Sequence, residues 1–519
     1  MGGTHVTLAE VELPLSKPCN CVPLALPVQT PTGLTITNKA YEAHLISHPG
    51  SLRANPATTG LRIEHTCARR NSTRRFAHCS LGIVLCGLAL VQGLAAAEPT
   101  TATTADWPQW RGPGGRSTLA ATQLADPWPA EPLKRVWHAP LFSGWSSPAV
   151  AGGKVLVTDR TGASERVLAF DATNGKELWK RETNVEFDPH QVGRRHGRGP
   201  KATPLVDGDR VYTVGIAGRL ACLNTKSGDL IWEVNYPEQF GARQPLPDGR
   251  AIVNGVENVI VPIGKGIGAP VPLFGYTGSP TLSGKLLITP VGGERAGTIM
   301  AFDKLTGEVV WKSLHENVSY SSPVIAEIGG VRQVVVMTGP RVVGLAVNDG
   351  ALLWSHPFQI SYDESIATPA VAGDLVLVTA TGKPLTALRI ARDGPNWKKE
   401  VAWTNEMLSS YLSSMVVDRE FVYGMNDGGE FCCLSLAEGK LQWTGGTHGY
   451  YCSPILAGGR LFGLNENGSL AVLSAGGAGY KELGLSQLVK AETWTTPAVV
   501  GSRIFIRSGE GIACFETQP

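Results

Sequence analysis

The chain has 519 residues, of which 62 are glycine, 35 are proline and 17% are charged. Because 46 basic residues stand against 44 acidic ones, the formal charge is only +2, and no overall electrostatic field favours nucleic acid as a partner. The apolar fraction of 43% is that of an ordinary globular protein.

The first hundred residues differ from the rest of the chain. Residues 1–68 are turn-rich and lack a sustained period of 2 or 3.6, which predicts a disordered leader or a start placed upstream of the true one. Residues 69–97 combine a basic stretch, an apolar run too short for a comfortable membrane-spanning helix and a small-residue ending, Ala95-x-Ala97. We therefore expect a signal peptide cleaved near Ala97, and an exported, periplasmic or extracellular mature chain without an integral membrane segment.

Five cysteines remain after that cleavage point. They are an odd number and include no CxxC or CxxCH motif, so the sequence supports neither a zinc site nor a c-type haem site. These cysteines are Cys222, Cys432, Cys433, Cys452 and Cys514.

A stretch of twelve residues occurs twice in similar form, as AFDATNGKELWK at 169–180 and AFDKLTGEVVWK at 301–312. Five such fragments share a frame in which a glycine precedes a tryptophan by four residues. Alternating residues on both sides of a glycine-containing turn are typical of a β-hairpin. The glycine and tryptophan pairs are Gly175 and Trp179, Gly228 and Trp232, Gly307 and Trp311, Gly350 and Trp354, and Gly439 and Trp443.

A second series of hairpins lies between the first, and each opens with a step of two small residues followed by proline. Eight openings recur at intervals of 39 to 76 residues, which indicates four-stranded propeller blades. The sequence therefore predicts an all-β fold: an eight-bladed β-propeller with antiparallel blades over residues 133–519, preceded by a lead-in segment at 98–132. The openings contain Pro148, Pro204, Pro280, Pro323, Pro369, Met415 in place of proline, Pro454 and Pro497.

The eighth repeat has only three strands and ends with GIACFE at 511–516. The segment KRVWHAP at 134–140 precedes the first opening and carries Trp137. We expect it to supply the missing strand and close the ring, because closure removes an exposed sheet edge. The repeat tryptophans are expected to pack on the glycine turns of neighbouring blades; they are Trp137, Trp179, Trp232, Trp311, Trp354 and Trp443.

The small-x-Asp-x-x-Thr-Gly-x-x-x-Trp repeat resembles that of the pyrroloquinoline-quinone-type propeller family, and DWPQWRGP at 106–113 resembles the lead-in of its secreted bacterial members. The resemblance covers residue 106 to the end. That family includes quinone-dependent alcohol dehydrogenases and a lipoprotein scaffold for outer-membrane assembly. For a dehydrogenase the resemblance implies the quinone, a calcium ion and a carboxylate base. The base and metal positions have no residue-by-residue match; Asp363, Glu364 and Glu406 are the candidates.

The resemblance also draws attention to Cys432 and Cys433, because quinone dehydrogenases of this fold carry a vicinal disulfide beside the cofactor. Here Cys433 occupies the small-residue position of the repeat. Successive strand residues point to opposite faces of a sheet. We therefore predict two buried thiols on either side of blade 6.

Two insertions, at 184–201 and about 236–275, follow outer strands and so emerge on one face of the propeller, where loops favour binding. We expect ligand-binding residues in a basic cluster able to hold an anion and in an aromatic collar around the channel mouth. The cluster comprises Arg194, Arg195, His196, Arg198 and Lys201, and the collar comprises Trp145, Tyr276, Tyr320, Tyr411, Tyr450, Tyr451 and Trp494.

These residues leave three functions open. The first is a non-enzymatic binding or assembly scaffold that takes a protein partner or a small anionic or planar ligand, with no nucleic acid, no catalytic residues and no metal site. The alternative is a dehydrogenase of alcohols or sugars that uses pyrroloquinoline quinone (PQQ) and Ca²⁺. A third, a carbohydrate-active hydrolase, requires two carboxylates that face each other across the pocket.

Overall fold

Period-2 alternation around glycine turns produces antiparallel strands along almost the whole repeat region. The expected leader at 1–68 and signal peptide at 69–97 lie outside the residues described by the structure. The computed structural model describes residues 106–517 except 121, 131, 190, 243, 246–249, 254–255, 261–271, 293–296 and 361–364.

Blades 1 to 4 are four-stranded antiparallel sheets in which each strand pairs with the next one in the chain. Their strands, from the channel outwards, are Ala149–Ala151, Lys154–Thr161, Ser164–Asp171 and Glu177–Asn184 in blade 1, Leu205–Asp207, Arg210–Val214, Arg219–Asn224 and Leu230–Asn235 in blade 2, Thr281–Ser283, Leu286–Pro290, Ile299–Asp303 and Val309–Ser313 in blade 3, and Val324–Ile328, Val331–Met337, Arg341–Ala346 and Leu352–Pro357 in blade 4.

Blades 5 to 8 repeat this arrangement, and the expected count of eight blades is confirmed. Their strands are Ala370–Ala372, Leu375–Ala380, Lys383–Asp393 and Asn396–Asn405 in blade 5, Val416–Val417, Phe421–Met425, Phe431–Ser435 and Leu441–Gly445 in blade 6, Ile455–Ala457, Arg460–Leu464, Ser469–Ser474 and Glu482–Gln487 in blade 7, and Ala498–Val500, Arg503–Ser508, Gly511–Glu516 and Lys134–Pro140 in blade 8.

The ring closes in blade 8, as the sequence predicted. The strand Lys134–Pro140 pairs antiparallel with Gly511–Glu516, so that Lys134 faces Glu516 and Ala139 faces Ile512. The first and last strands of the propeller thereby share one sheet. This pairing covers the edge that the strand Gly511–Glu516 would otherwise expose.

Tryptophans join neighbouring blades by the same contact, repeated around the ring. Each of six indoles donates its Nε1 hydrogen to a backbone carbonyl of the next blade, as Trp179 does to Thr225 at 2.9 Å. The blade 4 residue Trp354 instead donates to Gln333 of its own blade at 2.7 Å. The six indoles belong to Trp137, Trp179, Trp232, Trp311, Trp403 and Trp443.

The glycines of the predicted hairpin turns lie against these indole faces. A Cβ atom added to Gly228 would meet Trp179 at 2.5 Å, and equivalent contacts join Gly175 to Trp137, Gly307 to Trp232, Gly350 to Trp311 and Gly439 to Trp403. All five glycines have φ between 67° and 76°, a conformation that residues with a Cβ atom rarely adopt. The turn therefore needs glycine both for its backbone angle and for the indole above it.

Gly228→Ala should accordingly destabilise the protein by roughly 2 kcal/mol or more, because the new methyl group clashes with Trp179 and strains the turn. Gly284→Ala is the matched control, since Gly284 also has a positive φ but has nothing within 4 Å of the added atom. It should cost only the backbone strain, roughly 1 kcal/mol. Urea unfolding of the two variants measures the difference, and equal losses would contradict the proposed contact.

The lead-in crosses the channel. Trp107 exchanges two backbone hydrogen bonds of 2.7 Å with Val150 of blade 1, and the Pro108 carbonyl accepts from Val206 of blade 2 at 2.8 Å. Further along, Thr118–Leu119 pairs in parallel with the inner strand of blade 7. Between these contacts, Trp110 and Arg111 hydrogen-bond to residues at the inner strands of blades 5 and 6, across the ring from blades 1 and 2, so this segment crosses the channel.

In the described part of the chain, short helices lie outside the blades: the 3₁₀ helix Pro113–Gly115 in the lead-in, and the 3₁₀ helix Gln191–His196 and the α-helix Tyr236–Phe240 in the insertions. The second insertion also forms a small sheet of Gln244–Pro245, Arg250–Val253 and Val256–Ile260. No helix in the described part of the chain is long and apolar enough to span a membrane.

Candidate functional site

A cavity of about 170 Å³ lies at the mouth of the central channel, where the inner strands begin. Side chains from around the ring line it, together with the two insertions and the lead-in. Hydroxyl groups form its deeper part, aromatic rings form much of its wall, and no Asp or Glu is among its described lining residues. The small-small-Pro steps place these groups, since each step immediately precedes an inner strand.

A partial ring of hydroxyls joins the blades at the depth of the prolines. In five blades a serine Oγ accepts a hydrogen bond from a backbone N–H of the preceding blade. The donor and acceptor pairs, at 2.9 to 3.0 Å, are Thr496 to Ser147, Thr203 to Ser279, Ser279 to Ser322, Thr368 to Ser414 and Ser414 to Ser453. Each of these five serine side chains therefore links two blades and also lines the cavity.

The lead-in supplies the cavity floor. The Trp110 indole donates from Nε1 to Thr368 Oγ1 at 3.0 Å and lines the cavity. The next residue, Arg111, is 3% exposed and donates to the carbonyls of Pro369 at 3.3 Å and Met415 at 2.6 Å. Burial lowers the pKa of Arg111 to about 10. The cavity is therefore open towards the mouth and closed below.

Three stacked rings build one side of the wall. Trp494 lies between Trp145, at a centroid distance of 4.6 Å, and Tyr451, at 4.5 Å with an angle of 6° between the ring planes. On the insertion side, Phe274 meets Tyr320 edge to face at 5.2 Å. The Trp494 Nε1 atom is buried and has no hydrogen-bond partner in the described part of the chain. Rigid aromatic surface with a spare donor suits a partly apolar ligand.

Lys201 and His196 bring nitrogen atoms to the cavity. The Lys201 amine donates to the Phe274 carbonyl at 3.2 Å, and burial lowers its pKa to about 7. Burial, followed by the nearby charges of Lys201 and Arg195, lowers the pKa of His196 to about 4. At neutral pH the histidine is therefore uncharged and the lysine is the group whose charge changes.

The structure brings seven of the twelve predicted ligand-binding residues together. They are Trp145, His196, Lys201, Tyr320, Tyr411, Tyr451 and Trp494, and all of them line the cavity.

The other five predicted residues lie outside the lining. Arg195 is exposed and its guanidinium lies 5.7 Å from the Trp494 ring centroid. Arg194 is exposed, and Arg198 pairs with Asp188 at 2.6 Å. Tyr276 is buried between blades against Tyr236 at 5.4 Å, and Tyr450 is 44% exposed, with its ring 6.1 Å from that of Tyr411.

Sequence reasoning missed the floor, the insertion wall and the hydroxyls. The second residue of each small-small-Pro step carried the signal, because it is Ser or Thr in all eight blades and lines the cavity in seven of them. The strand prediction depends only on the small size of these residues. Trp110 and Phe274 gave no such signal, since they reach the cavity through long-range packing.

The described residues do not fit the calcium ion implied by the dehydrogenase resemblance. Calcium prefers carboxylate and carbonyl oxygens, and the described lining has no carboxylate. No group of three His, Cys, Asp or Glu side chains in the described part of the chain is placed to hold a metal ion. Glu406 is exposed outside the lining, and Asp363 and Glu364 lie outside the described residues.

Cys432 and Cys433 are free and buried, and they do not line the cavity. Their side chains belong to two different apolar clusters, on opposite faces of the blade 6 sheet. Burial raises the pKa of each thiol to about 12. The prediction of buried thiols is confirmed.

Comparison with known proteins agrees with the fold. The profile of the family described as outer membrane protein assembly factor BamB matches residues 127–194 and 163–445. The BamB protein of Moranella endobia is 21% identical over 312 residues, which cover 57% of this chain and 76% of that protein.

Two solved structures share the architecture. The crystal structure of BamB from Moraxella catarrhalis has a TM-score of 0.50 and 15% identity, and the match covers 74% of this chain and 97% of that one. Quinohemoprotein alcohol dehydrogenase from Comamonas testosteroni has a TM-score of 0.51 and 14% identity, and the match covers 80% of this chain and 81% of that one. At this identity the likeness concerns the fold alone.

Proposed function

Because the chain belongs to the family described as outer membrane protein assembly factor BamB, we propose that it is an exported, non-catalytic propeller that binds a partner at its channel mouth. The name of the relatives supports a protein partner in an assembly process. The observation that carries the proposal is the cavity itself, which is closed below by Trp110 and lined by hydroxyls and aromatic rings. Such a cavity can receive a group from a partner, and its described lining lacks a carboxylate pair for acid–base chemistry.

The surface around the cavity suits protein contact. Tyr450 is 44% exposed beside the mouth, and Phe142 is 53% exposed on the segment that leads into blade 1. Tyrosine and arginine are enriched in protein interfaces, and Arg194 and Arg195 are exposed on the neighbouring insertion. The mouth thus combines a cavity with an amphipathic rim.

Photo-crosslinking in expressing cells tests this proposal. A photoreactive phenylalanine analogue replaces Tyr450 at the mouth or, as the control, the exposed Lys285 in the first hairpin turn of blade 3, at the other end of an inner strand. We expect one discrete crosslinked protein from position 450 and none from position 285. The same products from both positions, or no product from either, would overturn the proposal.

Addition of PQQ and Ca²⁺ should give no oxidation of alcohols or sugars, because the described lining lacks the carboxylates that such chemistry needs. Dye-coupled turnover assays and thermal unfolding with and without the two additions measure this. Turnover with a matching rise in unfolding temperature would establish the dehydrogenase in place of the binding function.

A further inference from the structure

The five serines of the hydroxyl ring have donor capacity that the fold does not use. Each accepts one backbone N–H, and in the described part of the chain none of the five hydroxyls donates a hydrogen bond in return. Their residues are 3 to 8% exposed. A hydroxyl carries one hydrogen to donate, and a buried donor without an acceptor costs free energy. The deep part of the cavity therefore offers several O–H groups that lack an acceptor.

The positively charged groups near the cavity also lack a negatively charged partner within it. Lys201 lines it and makes no ion pair with a described carboxylate. Arg111 lies beside the floor residue Trp110, and its described partners are the two carbonyls and the Ser117 hydroxyl. Glu165 raises the pKa of Lys201, but its carboxylate accepts the Ile216 N–H at 2.9 Å and lies outside the lining. Donors and cations beside a described lining that has no carboxylate favour a negatively charged ligand.

The size and the wall of the cavity narrow the choice of anion. One titratable amine among neutral hydroxyls balances a single negative charge better than two. The stacked rings of Trp145, Trp494 and Tyr451 offer apolar surface for a body attached to that charge. A volume of about 170 Å³ is enough for a group the size of one aromatic ring.

We propose that the cavity binds the carboxylate of a small organic acid, which the serine hydroxyls and Lys201 hold while the acid's apolar body lies against the aromatic wall. This inference rests on the proposed function, because it names the chemistry that the mouth recognises. In this proposal the anion binds at the hydroxyl ring and Lys201, and not at the exposed arginines of the first insertion.

The affinity should depend on pH through Lys201. Below its pKa of about 7 the amine is charged and attracts the carboxylate; above it the amine is neutral and the attraction is lost. Of the two titratable groups that interact with it, His196 is uncharged in this range and Glu165 lies outside the lining. Binding should thus be roughly tenfold weaker at pH 8 than at pH 6.

Isothermal titration calorimetry with benzoate as the probe tests the inference. Benzamide has the same body without the charge, and sulfate is an anion without the body. At pH 6 we expect benzoate to bind at least tenfold more tightly than either. Lys201→Gln should weaken benzoate binding at least tenfold, whereas Arg194→Gln, which removes an exposed charge from the same insertion, should leave it unchanged.

A second variant distinguishes a loss of binding from a loss of folding. Ser453→Ala removes one hydroxyl of the ring and should weaken benzoate binding several-fold with an unchanged circular dichroism spectrum. Equal binding of benzamide, preference for sulfate, or benzoate binding that is indifferent to Lys201→Gln would each overturn the inference. If crosslinking from position 450 succeeds while benzoate fails, only this inference falls; if benzoate binds while crosslinking fails, only the partner proposal falls.

Discussion

Trp137→Ala is expected to destabilise the propeller by about 3–5 kcal/mol, the usual cost of removing a buried tryptophan. Trp137 is 7% exposed, packs on Gly175 of blade 1 and donates to the Ala172 carbonyl at 3.1 Å. Its strand is also the one that closes the ring. The substitution therefore weakens the junction between blades 8 and 1, at the sheet that both ends of the repeat region form.

Chemical unfolding measures the loss, and hydrogen exchange locates it. Amides of 134–140 and 511–516 should lose protection together and before those of blades 3 to 6, because pairing and docking fail at one junction. His138→Ala is the matched control, since His138 is the exposed neighbour on the same strand and should have little effect. Uniform loss of protection around the ring would contradict the role given to this junction.

The second large effect is expected from Arg111→Met in the lead-in. The substitution leaves the carbonyls of Pro369 and Met415 without their donor, and each buried carbonyl that loses its partner costs roughly 1–3 kcal/mol. We expect the segment around Trp110 to leave the channel and open the cavity floor. Benzoate binding should then fall along with stability.

Limited proteolysis between residues 106 and 126 reports that release directly, with cleavage expected at least several-fold faster than in the parent protein. Arg116→Met serves as the control, because Arg116 is exposed on the same segment. Unchanged cleavage of the Arg111 variant would show that the lead-in is held by other contacts.

The repeat made the fold predictable from the sequence, since each blade carries its own turn and proline signals. Blade 5 shows where that signal ends. Its outer hairpin, Lys383–Asp393 with Asn396–Asn405, is longer than the others and lacks the Gly-x-x-x-Trp frame. Trp403 was therefore missed, although it packs on Gly439 as the other docking indoles do.

The site was less predictable, because proximity in sequence does not decide which side chains face the cavity. Arg194, Arg195 and His196 follow one another in a 3₁₀ helix, where successive side chains point about 120° apart. Only His196 lines the cavity. Tyr450 and Tyr451 are likewise adjacent, but only Tyr451 turns inward.

The floor depends on contacts between residues about 250 to 300 positions apart, such as Trp110 with Thr368 and Arg111 with Met415. No local pattern encodes such pairs. The hydroxyl ring, by contrast, was visible in the repeat and required only that its Ser and Thr residues be considered as hydrogen-bonding groups.

Thiol labelling at the two ends of one inner strand tests most directly whether the mouth is the occupied surface. The described cysteines are buried and should remain unlabelled. Thr277→Cys places a thiol at the cavity, and Lys285→Cys places one at the far end of blade 3. We predict that the labelling rate at 277 relative to 285 is at least fivefold lower in expressing cells than in purified protein. Equal ratios in the two settings would contradict binding at the mouth.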